Sequence, residues 1–159
     1  MQIRFTLQDQ SLGRAIDRAL AAAKDFSPAM AEIAQLLEAE IRQRFEDGQG
    51  PDGEPWKTSK RAREEGGKTL VDTAALLSSI ASRSDATSAE AGTNLVYAAI
   101  HQFGGTIRPK RKRALATPFG PLAAVEMPAR PFLGFGDAER AEIPRILADH
   151  LRDAFEARA

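Results

Sequence analysis

The residues that most restrict the fold are Met30, Ile33, Leu37, Ile41 and Phe45, which recur every three or four positions. Glu32, Gln35, Glu38, Gln43 and Glu46 fall mostly outside that stripe. Such spacing lays the apolar groups along one side of an α-helix of about five turns. Ser27 and Pro28 open it, because serine accepts from the free amides of a first turn and proline is preset for the first helical position. From Asp47 the sequence changes to Asp-Gly-Gln-Gly-Pro-Asp-Gly-Glu-Pro-Trp-Lys, turn formers that neither a helix nor a central strand can host. One long amphipathic helix must therefore find a partner surface elsewhere in the chain.

The remaining periodicities supply candidates for that surface. Ile3, Phe5 and Leu7 alternate with polar residues and predict a half-buried strand. Leu12, Ile16 and Leu20 predict an alanine-rich helix from a Ser11 cap to about Lys24. Asp72 or Thr73 is placed to cap a short helix containing Leu76, Leu77 and Ile80, and residues 81–92 fit a hairpin turning near Asp85. Leu95, Ala98, Ala99 and Phe103 then mark a short helix that Asn94 can cap and Gly104-Gly105 ends. An extended path resumes at Thr106. The prolines of residues 127–135 put that segment at a sheet edge or in an extended crossing. A last helix follows from an Asp137 cap, with Ile143, Leu147, Leu151 and Phe155 as its stripe, and Pro144 is expected to break or kink it.

The pattern predicts an α+β chain with a small mixed or antiparallel sheet packed against two to four helices, and with a protruding arm or long loop. At 159 residues it has room for one core of ordinary size, so 1–159 reads as a single unit with an exposed loop at 47–69 and a projecting arm at 108–126. Apolar content of 43% and charged content of 28% lie in the soluble globular range, and no apolar run is long enough to cross a bilayer. The 22 basic and 22 acidic residues cancel, so attraction to nucleic acid must be local. The absence of cysteine excludes disulfides and thiolate metal sites, and two distant histidines make a histidine-built zinc site implausible. The first residues lack the apolar block of a signal peptide, which points to a protein made and assembled in a cytoplasm.

Chemistry-bearing residues are sparse. Asp47, Asp52 and Glu54 lack the alternating ligands and terminal glutamate of a calcium loop, so no metal or cofactor is expected. His101 and Gln102 are neighbours on a helix and point in different directions, and His101 reads as structural or surface rather than catalytic. A hydrolase would need the fold to bring His101 to a carboxylate such as Asp72 or Glu90. His150 adjoins an apolar stripe and reads as a satisfied, half-buried group. Trp56 either pins its loop to the body with its indole or anchors an interface. Arg108, Lys110, Arg111, Lys112 and Arg113 form a basic run without interleaved aromatics. That run reads as a solvated surface or as a contact with phosphates or with an acidic partner. Leu115, Phe119 and Leu122 follow it and would be a liability if left wet.

Four pieces together resemble the phage virion morphogenesis proteins, a family that includes tail completion proteins of contractile-tailed and Mu-like phages. They are Arg44-Phe45-Glu46-Asp47 with Gly50-Pro51-Asp52-Gly53 and Pro55-Trp56-Lys57; Leu70-Val71-Asp72-Thr73 with Leu76, Ser79 and Ile80; Gly92-Thr93-Asn94 with Tyr97 through Gly105; and Pro128-Ala129-Arg130-Pro131-Phe132-Leu133-Gly134. Ala74 stands where the family often has glycine. A fainter likeness reaches the small head–tail joining proteins. The resemblance implies an α+β structural protein at the junction of head and tail, a ring subunit with no catalytic residues. Its implied partners are copies of itself, as a hexamer or dodecamer, and tail tube, tail terminator or head connector proteins. Asp72, Thr73, Tyr97, Phe103, Gly104, Gly105, Arg130, Pro131 and Phe132 are then structural motif residues. Trp56, the basic run and the apolar residues after it are expected at interfaces. The alternative is a module that contacts nucleic acid through 108–113.

Overall fold

The computed structural model describes residues 10–110, 113–117 and 120–157, with the side chains of Gln10 and Leu12 left aside. The strand expected at Ile3, Phe5 and Leu7 lies outside the described residues, as do Arg111, Lys112 and Phe119. The elements are α1 (Gln10–Ala22), α2 (Ser27–Asp47), α3 (Lys60–Glu64), α4 (Ala75–Ser78), β1 (Ala81–Ser84), β2 (Ala89–Gly92), α5 (Ala98–Phe103), β3 (Gly105–Ile107), β4 (Leu115–Thr117), β5 (Gly120–Leu122), β6 (Val125–Met127) and α6 (Asp137–Glu156).

Helix α2 is the axis of the body. Its stripe is buried at Ile33, Ile41 and Phe45 and half-buried at Met30 and Leu37. The Ser27 hydroxyl does not cap it: Phe26 holds the cap position, and the Ser27 amide donates to Asp25 Oδ1 at 2.9 Å. At the other end Gly48 turns left-handed at φ 71° and donates to the Arg44 carbonyl, so the helix stops where the glycine-rich run begins.

Two clusters flank α2. At its N-terminal half Ala29 and Ile33 meet Ile146 of α6, with Ile143 and Leu147 beside them. Pro144 does not break α6. It sits on the exposed side, where the Arg140 carbonyl left without its amide can face water, and the buried side keeps its register. Helix α1 packs on α6, and His150 closes that corner, its Nε2 within 3.0 Å of the Asp25 carbonyl and its ring 5.3 Å from Phe26. At the C-terminal half of α2, Ile41 and Phe45 pack with Trp56, Leu76, Ile80, Ala98 and Phe132.

The β1–β2 hairpin lies along α2 and is tied there, because Ser82 Oγ donates to Glu38 Oε2 at 2.7 Å. It turns at Asp85, as expected. The Asp85 carboxylate accepts from the Thr87 and Ser88 amides at 2.8 Å, and those bonds hold its pKa down to about 2. The expected α+β mixture is present with antiparallel pairs only, spread over three two-stranded sheets among the described residues: β1–β2, β3–β6 and β4–β5.

Within the expected exposed loop at 47–69, the reading in which Trp56 pins the loop to the body holds, and residues 60–64 differ from expectation. Trp56 is buried against Phe45, with ring centroids 5.5 Å apart, and its Nε1 donates to the Pro131 carbonyl at 2.9 Å. Residues 60–64 form α3, capped by Ser59, whose hydroxyl accepts from the Ala62 amide. The cap expected from Asp72 or Thr73 is also absent. Ala74 holds the cap position of α4 in the left-handed conformation, at φ 59°, which accounts for glycine being frequent there in the family that the sequence resembles.

Candidate functional site

The site is built around the end of α5. Gly104 leaves the helix at φ 70°, so close to the next segment that an added Cβ would lie 2.7 Å from the Ala129 amide nitrogen. From there β3 pairs antiparallel with β6, Gly105 opposite Met127. The Arg130 amide then donates to the His101 carbonyl at 2.7 Å. Gln102 completes the join, since its Oε1 accepts from the amides of Phe132 and Leu133, both at 3.0 Å, and its Nε2 donates to the Leu133 carbonyl. This side chain does the work of a missing strand, satisfying a proline-rich segment that could not pair with a ladder.

The join brings together residues far apart in sequence. A surface cleft of about 320 Å³ is lined by Ser59, Arg61, Asp72, Tyr97, His101 and Arg130, with Leu70, Leu76 and Met127 among its apolar walls. Arg61 is committed to structure: its Nη2 donates to the carbonyls of Lys68 and Val71, and its Nε lies 3.6 Å from the Asp72 carboxylate. Tyr97 meets the His101 ring edge-on at 6.1 Å. Arg130 is 4% exposed and donates through Nε to the Lys57 carbonyl at 2.7 Å. Burial pushes the His101 pKa below its ordinary value and the positive charge of Arg130 pushes it further, so the imidazole is neutral near pH 7. Burial also lowers the pKa of Arg130.

A second feature is the ribbon between α5 and the crossing segment. Strands β3 and β6 form its stem, β4 and β5 its outer pair, with Leu115 opposite Leu122. Among the described residues the closest packing of these strands is with each other, β3 with β6 and β4 with β5. Arg108, Lys110 and Arg113 are exposed along it, Leu115 is half-buried, and Ile107 and Leu122 are 38% and 41% exposed.

Comparison with known proteins identifies the chain. The family model described as the phage virion morphogenesis family matches residues 7–152. The chain belongs to this family. A relative in Haemophilus influenzae, the Mu-like prophage FluMu G protein 2, is 36% identical over 143 residues, covering 90% of this chain and 91% of that protein. No solved structure matches.

For a virion morphogenesis protein, the positions singled out by sequence fall into distinct places. Asp72, Thr73, Tyr97 and Arg130 converge on the cleft. Gly104 and Gly105 shape the exit from α5, Pro131 accepts from Trp56, and Phe132 is fully buried 5.4 Å from Phe45. Trp56 belongs to the core, so its assignment to an interface is corrected. Phe103 does not join an inward stripe: it is 78% exposed, because α5 starts only at Ala98 and turns Ala98 and Gln102 inward together. Of the two acids weighed as partners for His101, Asp72 pairs with Arg61 and shares the cleft with His101, and Glu90 pairs with Arg83. Among the described residues no helix is long and apolar enough to cross a membrane. Sequence reading missed the roles of Gln102, Arg61, Arg44 and Glu139. Gln102 and Arg44 stood in quoted motifs; Arg61 and Glu139 carry no local signal that separates them from surface polar groups.

Proposed function

We propose that this virion morphogenesis protein is a non-enzymatic ring subunit at the head–tail junction, finishing the tail or joining it to the head connector. The observation that carries this reading is the ribbon of β3, β4, β5 and β6, whose strands among the described residues pair β3 with β6 and β4 with β5 and leave apolar and basic side chains facing solvent. A strand pair of this kind is suited to a heterologous contact, in which one surface of a subunit meets a different surface of the next and a closed ring results. The ring is a hexamer or dodecamer, assembled in the host cytoplasm, and its neighbours are tail tube, terminator or connector proteins. The name of the Haemophilus relative, a Mu-like prophage protein, is in keeping with a tailed phage.

The test removes the outer ribbon and keeps the stem. Residues 108–124 are replaced by a two-residue Asn-Gly turn, so that β3 and β6 close as a hairpin and the body folds. Particles made with this variant are imaged beside the wild type. Filled heads next to unattached tails support the proposal; normal virions with the variant incorporated reject it. The exposed Arg108, Lys110 and Arg113 favour a second reading, contact with nucleic acid. Duplex DNA binding that falls steeply with salt and disappears when these three are changed to glutamine supports it, and an unmeasurable affinity at physiological salt dismisses it.

A further inference from the structure

The two arginines most deeply buried among the described residues are treated differently. Arg44 meets Glu139, whereas Arg130 has no carboxylate partner and only its Nε is engaged. Beside it, His101 Nδ1 is buried with no hydrogen-bond partner. Nδ1 is sealed from the cleft, whereas the Arg130 Nη groups reach it and offer a cation set among apolar walls to an anion. We propose that the cleft receives the carboxylate of a glutamate or aspartate side chain presented by a neighbouring protein, with the Arg130 guanidinium as its donor.

The charge balance favours this ligand. Arg61 and Asp72 cancel at the mouth, which leaves the single positive charge of Arg130, and a carboxylate matches it one for one. A phosphate would bring a second negative charge against Asp72. The volume of about 320 Å³ admits a side chain of glutamate size, and Leu70, Leu76 and Met127 offer apolar surface to its stem. The lining argues for a macromolecule over a free anion: Tyr97 is 45% exposed where the chain enters α5, and with Leu70, Leu76 and Met127 it sets apolar surface beside a polar pocket. That is the anatomy of a protein contact, in which surrounding groups exclude water from a central anchor. The groups facing His101 in the cleft are Arg61, Asp72, Tyr97 and Arg130. A carboxylate on Arg130 offsets the positive charge that, after burial, lowers the His101 pKa, so binding strengthens as pH falls toward about 6. The site does not depend on which joint of the virion the chain occupies.

The test is an NMR titration of the purified full chain with N-acetylglutamate N-methylamide, following the His101 ring and the Arg130 Nε–H. The matching glutamine derivative and inorganic phosphate are the controls. We expect saturable shifts at both groups with millimolar affinity, no saturation with the glutamine derivative, and a weakening of at least about tenfold in Arg130→Gln. Arg130→Lys keeps the charge and retains the larger part of the binding. Should Arg130→Gln fail to fold, His101→Phe is used in its place, and its binding is expected to lose the strengthening seen in the wild type between about pH 7.5 and about pH 6; an unchanged pH dependence would overturn the proposal. Equal shifts from the glutamine derivative, no saturation in the wild type up to about 50 mM, or tighter binding of phosphate would overturn the proposal. None of these outcomes bears on the ribbon, whose test reads particle morphology.

Discussion

Arg44 on α2 and Glu139 on α6 form an ion pair buried in the body, ninety-five residues apart in the chain. Each partner is also hydrogen-bonded to backbone. Arg44 Nη1 donates to the carbonyls of Phe132 and Gly134 at 3.1 and 2.9 Å, and Glu139 Oε2 accepts from the Gly136 amide at the start of α6. The pair therefore fastens three pieces, α2, the crossing segment and the first turn of α6, at one point. Loss of either charge strands the other in a dry environment. Glu139→Gln or Arg44→Met is expected to lower the unfolding free energy by about 3–5 kcal/mol. The double variant Arg44→Met with Glu139→Leu should cost less than the two losses summed. Urea unfolding followed by Trp56 fluorescence checks both.

Two positions in left-handed conformation respond to substitution in opposite directions. Ala74 at φ 59° carries a Cβ that this conformation disfavours. Ala74→Gly should stabilise the chain by roughly 0.5–1 kcal/mol, after the greater flexibility of glycine in the unfolded state is deducted. Gly104→Ala should destabilise it by more than about 2 kcal/mol, since its Cβ would meet the Ala129 backbone as well as the strained φ. The shift in urea midpoint gives the sign in each case.

Gln102 makes three hydrogen bonds to the backbone of Phe132 and Leu133. Gln102→Leu keeps the volume and removes all three, so a loss of about 2–3 kcal/mol is expected. Hydrogen exchange should show the Phe132 and Leu133 amides losing protection before those of α2.

His101 gives stability a pH dependence. Its folded-state pKa lies below the ordinary 6.5, so the unfolded chain takes up a proton first as pH falls. Its contribution is complete above 6.5 and is lost progressively on acidification toward the folded pKa. Denaturation midpoints from about pH 7.5 down to about pH 5 should therefore fall less steeply in His101→Gln than in the wild type.

What was legible in the sequence is what neighbouring residues dictate. The stripe from Met30 to Phe45 specified α2, the glycine-rich run its end, and Asp85 the hairpin turn. These rest on helical period and on turn chemistry, which act over a few residues. Local signals misled where caps were assigned from residue type alone, at Ser27 and at Asp72 or Thr73, because the backbone direction at a helix start is set by what precedes it. Phe103 looked like a core residue and faces solvent, because the helix that carries it is too short for its period to be read.

The amino-acid order alone determined the long helix, the punctuated loops, the basic run and the motifs that mark a virion morphogenesis protein. Only the folded chain decided that Arg44 would find Glu139, which of the two readings of Trp56 would hold, and that Asp72, Tyr97, His101 and Arg130 would line one cleft. The physical reason is range. A helical period or a turn is settled by groups a few bonds apart, whereas a buried charge needs a partner delivered by the path of the whole backbone. In the linear chain that partner is indistinguishable from an ordinary surface residue.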